Sequence, residues 1–98
     1  MKEVKHLVHH IDEEVKDALY YAEKYVDAKA HGKSYASTWH KLAEDELHHA
    51  DLIHEIAVEE ISVLKKVFQP TSDMEEMWNK SHTEYVAKTD WIRKLLAM

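Results

Sequence analysis

Leu42-Ala43-Glu44-Asp45-Glu46-Leu47-His48-His49-Ala50 is the stretch on which the reading of this chain turns. With Tyr35 and Trp39 before it and Ile53, Ala57 and Leu64 after it, apolar residues return at helical spacing, which predicts one long amphipathic helix. At about 100° per residue, Glu46 falls near the middle of the apolar stripe and His49 on its shoulder, roughly 70° away. A carboxylate aimed into a core needs a cation, a proton or a metal, because burying it alone is strongly unfavourable.

Working outward, apolar residues on the N-terminal side recur at Val4, Leu7, Val8, Ile11, Val15, Ala18, Leu19, Ala22, Tyr25 and Val26, predicting a first helix from about Glu3 to Ala30. His31-Gly32-Lys33-Ser34 contains the only Gly of the chain, suited to a left-handed C-cap, and Ser34 reads as an N-cap for the next helix. That second helix runs from about Tyr35 to Phe68, roughly 50 Å, so its far end needs cover beyond the first helix, from a third helix, another subunit, or both. Gln69-Pro70-Thr71 stops it, since the residue before Pro avoids helical geometry. Ser72 with Glu75 reads as a capping box opening a third helix, about Asp73 to Ala97, with Met74, Met77, Trp78, Tyr85, Ile92, Leu95 and Leu96 on one side. The fold expected is all-α and a single domain over residues 1–98.

Composition narrows the function classes. One Gly and one Pro in 98 residues leave few turns. A formal charge of −6 argues against a non-specific nucleic-acid binder, which needs a basic face, and favours attraction of cations. The absence of Cys rules out disulfides and thiolate metal sites and fits a reducing compartment. No apolar run approaches the ~20 residues of a membrane span, and Met1–Ile11 lacks a signal-peptide core. The expectation is a cytoplasmic protein. Nine His are many for this length.

Glu46 and His49 form a Glu-x-x-His pair, the half-site that di-metal carboxylate bundles build twice. Glu can bridge two cations, and a neutral imidazole caps each. The complement is a Glu from the antiparallel helix. On the first helix Glu14 is the best candidate, about 80° from the stripe centre, whereas Glu13 points almost away from it. A hairpin centred near Gly32 leaves Glu14 about five residues out of level with Glu46, roughly 7 Å along the axis. Asp17 is closer in level but faces solvent, and the choice between Glu14 and Asp17 stays open. No second Glu-x-x-His stands in a comparable setting, so two copies of the chain must supply the two halves across an isologous interface on a two-fold axis. Glu44, His48, Asp51 and Glu55 line the opposite face and read as a solvated charge row.

Glu13-Glu14-Val15-Lys16-Asp17-Ala18-Leu19-Tyr20-Tyr21, followed by Asp45-Glu46-Leu47-His48-His49-Ala50, resembles the encapsulated-ferritin branch of the ferritin-like superfamily over roughly Ile11 to Ala57. The resemblance implies two long antiparallel helices that pair between subunits into a four-helix bundle. It casts Glu14, Glu46 and His49 as ferroxidase ligands, Tyr20 and Tyr21 as the aromatic pair, and Glu13 as a ligand where iron enters. It makes iron the metal, as a di-iron pair across a subunit interface, with a homodimer or larger ring as the assembly and an encapsulin shell as a further partner. Trp91–Met98 does not look like the short Gly-containing tail that targets cargo to such shells, and the third helix is longer and more apolar than the resemblance leads one to expect.

Two functions follow as expectations. One is Fe(II) oxidation at a shared site for iron storage or detoxification, with Tyr21 hydrogen-bonding a ligand or donating an electron. Manganese or zinc would suit the same ligands without oxidation. The alternative is a non-catalytic helical oligomer, a scaffold or phage-type structural protein, with Glu46 in a structural ion pair.

Overall fold

The computed structural model describes residues 2–98, which form α1 (Lys2–Ala30), α2 (Ala36–Val67) and α3 (Ser72–Leu96), with no strand among the described residues. The all-helical, three-helix expectation holds. So does the glycine cap: Gly32 adopts φ 65°, Lys33 N donates to Ala28 O at 2.9 Å and Gly32 N to Lys29 O at 3.1 Å, satisfying the last carbonyls of α1.

Both predicted N-caps move by one residue. Tyr35, not Ser34, precedes α2, and its side chain makes no cap bond. The loop is too tight for one: Ala36 N already donates to Lys33 O at 3.2 Å, so the turn runs straight into the helix. At α3 the cap is Thr71, whose Oγ1 accepts from Met74 N at 3.2 Å, and Ser72 is the first helical residue.

The core holds Ile11, Val15, Ala18 and Ala22 of α1, Ala43, Leu47, Ala50 and Ala57 of α2, and Ile92 and Leu95 of α3. Half of these are alanines, so the helices can approach closely and the core is thin. α3 runs back towards the α1–α2 loop, where Lys29 Nζ donates to the Met98 carbonyl and His40 Nε2 lies 3.0 Å from Leu96 O. At the other end Trp78 packs against the core, and Ile61 and Leu64 of α2 face Met74 and Trp78 of α3 across a shallow cleft.

Between α2 and α3 the contact is largely polar and aromatic. Tyr85 OH donates to Asp51 Oδ1, and Arg93 donates to Asp51 Oδ2 at 3.2 Å. Asp51 is therefore not part of a solvated row: the partners that draw it in sit on a helix far away in sequence. His54 stacks on Tyr85 with ring centres 4.3 Å apart and planes 6° apart, and its Nε2 is 3.0 Å from His82 Nδ1.

Candidate metal centre

Glu14 of α1 and Glu46 and His49 of α2 come together on one side of the α1–α2 hairpin. Their level follows from the turn. Glu14 and His49 stand at nearly equal distances along the chain from Gly32, and Glu46 lies one helical turn nearer the loop. Despite that axial offset, side-chain reach brings both carboxylates to one side of the His49 ring, close to Nδ1.

One ligand atom from each of the three residues lies within 4.8 Å of the other two. His49 Nδ1 is 3.8 Å from Glu14 Oε2 and 3.9 Å from Glu46 Oε1. The carboxylate side chains are 24% and 22% exposed and His49 is 54% exposed, so the cluster is walled by the hairpin and open to solvent beside His49.

Two carboxylates side by side cannot both stay charged cheaply. The hydrogen bond from Glu46 to Glu14, with burial and the negative charges of Glu14, Asp17 and Asp45 adding to it, holds the Glu46 carboxyl up at about 7. Glu46 so placed keeps its proton to near neutral pH. A cation between them would replace that proton. Hard carboxylate oxygens with one imidazole suit Fe(II), Mn(II) or Zn(II). Donors on one such ion stand at most about 4.4 Å apart, so small side-chain rotations bring this set into range.

The other predicted residues lie around the cluster. Glu13 is exposed, with His9 Nε2 at 2.6 Å on the same helix, and it is not in the cluster. Asp17 is exposed and contributes charge to Glu46. Tyr21 is half-buried, stacked on Trp39 at 5.9 Å between ring centres and edge-on to Tyr20 at 5.7 Å.

α3 takes the other side of the hairpin. It meets α2 at His40, Asp51 and His54, which lie roughly 80 to 140° around the helix from Glu46. The face with Glu46 and His49 is left open, and on it Leu42 and Ile56 remain 38% and 52% exposed. Sequence reasoning missed the His54–His82 pair and the Tyr85–Asp51–Arg93 junction. Their only sequence signal was that Tyr85 lies on the apolar side of α3.

No protein-family model, no curated protein and no solved structure matches this chain. The described residues form an all-helical chain with one Glu–Glu–His group that could hold a metal ion.

Proposed function

We propose that this protein is a ferritin-like di-iron protein that oxidises Fe(II) at a site shared by two copies of the chain, for iron storage or detoxification. The observation that carries the reading is the convergence of Glu14, Glu46 and His49, one Glu from one helix and Glu-x-x-His from its antiparallel neighbour. Each chain then offers one half-site, and a second copy completes it as a four-helix bundle. Fe(II) is the substrate and each of two ions gives up one electron to dioxygen or peroxide. Glu14 and Glu46 stabilise the rising charge, His49 binds as neutral imidazole, and the open side beside His49 gives the ions a way in. Tyr21, two turns along α1 from Glu14 and stacked on Trp39, would serve as a one-electron donor, and the exposed Glu13 would draw cations towards the site.

The structural ion-pair reading is the weaker one. Glu46 has a second carboxylate beside it, and among the described residues no Lys or Arg pairs with it. A thermal melt separates the two. For the wild type, Mn(II) or anaerobic Fe(II) should raise the melting temperature by several degrees, since a ligand at 100 times its Kd adds about 2.7 kcal/mol. Glu46→Gln should abolish that rise while keeping the apo protein at least as stable. If metal leaves both melts unchanged, Glu46 is a structural group.

A further inference from the structure

The open face of α2 has a symmetry that defines how its partner sits. Four pairs of residues on this face share one midpoint, between Leu47 and His48: Glu46 with His49, Leu42 with Ile53, Trp39 with Ile56, and Tyr35 with Glu60. Their spacing alternates between four and three residues, the repeat that keeps a seam facing a second helix. Along this seam Tyr35, Leu42 and Ile56 are 54%, 38% and 52% exposed, whereas Trp39 is stacked on Tyr21 and Ile53 is half-buried against the core.

We propose that a second copy of this chain docks here with the two α2 helices antiparallel and centred between Leu47 and His48. This rests on the shared-site reading and specifies its register. Glu46 then faces the partner's His49, and Leu42 packs on the partner's Ile53. Trp39 meets the partner's Ile56, and the Tyr35 hydroxyl donates to the partner's Glu60. Glu60 is thus an interface residue that closes the rim.

Charge selects this direction. A parallel pair would set Glu60 against the partner's Glu60, which like charges disfavour, and would leave Glu46 facing a second carboxyl instead of an imidazole. The antiparallel pair sets carboxylate against imidazole and carboxylate against phenol. The area also fits. The chain exposes 6586 Å², about 800 Å² more than the ~5,800 Å² of a compact monomer of its mass. One partner of a standard dimer buries ~800 Å².

The chain has no Cys, so disulfide trapping reports on this register without background. Leu42→Cys and Ile53→Cys chains are mixed, equilibrated under oxidised glutathione with EDTA or with Mn(II), and run without reductant. The mixture should give covalent dimers at least tenfold more abundant than either variant alone, in one or both conditions. Tyr35→Cys with Glu60→Cys, both at exposed or rim positions, repeats the test where folding is least disturbed, with helicity followed by circular dichroism. Equal trapping of a single variant with itself, or no trapping of either pair by folded chains, overturns the register. Metal binding at one ion per chain without trapping would leave the shared site standing and this register refuted. Trapping without metal binding would do the reverse.

Discussion

Glu46 makes the pH behaviour of the apo protein readable. Its folded-state pKa, about 7, lies above the ordinary 4.5, so the folded chain binds a proton that the unfolded chain releases. That contribution is fully present below about pH 4.5 and is lost as pH rises through 7. His54 acts in the opposite sense. Burial first, and the neighbouring His82 second, push its pKa below the ordinary 6.5, so its contribution is present above pH 6.5 and is lost on acidification through the lowered value. Denaturant melts from pH 4.5 to 8 should show Glu46→Gln removing the decline towards neutral pH and His54→Gln removing part of the acid decline. A Glu46→Gln profile that matches wild type over that range would mean no proton is shared with Glu14. Metal affinity should rise over the same window, because the cation must displace the Glu46 proton. The anomaly of Glu46 was legible in the sequence, since a carboxylate in the middle of an apolar stripe needs a partner. Its level relative to Glu14 was not, because one residue of loop geometry shifts a hairpin by ~1.5 Å and the wheel carries no axial information.

Among the elements, α1 and α2 build the site and α3 completes the core. Helix existence and order could be read from periodicity, and Gly32 and Pro70 marked the breaks. The cap residues could not be placed to one position: Thr71 and Ser72 are both good caps, and only the first-turn geometry chooses between them. Asp51 was misread for a different reason. On its own helix it faces away from the apolar stripe, and what draws it in is Tyr85 and Arg93 on α3. Tyr85→Phe tests that division of labour. Removing the hydroxyl leaves Asp51 with Arg93 as its hydrogen-bond donor and should cost about 1 kcal/mol of stability in a denaturant melt. Metal-induced stabilisation should stay unchanged, because Tyr85 lies on the α3 side of the hairpin. Loss of the metal response along with stability would place α3 in the site and contradict the separation of faces described above.

At the scale of the whole molecule, the chain is a rod. Its extents are 55 × 17 × 17 Å and its radius of gyration is 15.9 Å, against ~13 Å for a compact domain of similar length. The alanine-rich core explains the thinness, because closely packed helices bury little volume per residue. A thin rod leaves much apolar side chain at its surface, and on α2 that surface coincides with the open side of the metal cluster. Under the proposed pairing, in which each protomer would bring half of the ligands and half of the seam, assembly and metal binding should depend on each other. The measurement that addresses this most directly is an anaerobic Fe(II) titration followed by native mass and, on admission of air, ferric absorbance. Saturation near one iron per chain at dimer mass or a multiple of it, oxidation on air, and loss of both in Glu46→Ala is the result the shared di-iron site predicts. A chain that binds no iron specifically, with a mass indifferent to metal and chelator, would contradict it and leave Glu14, Glu46 and His49 as a structural carboxylate–histidine cluster.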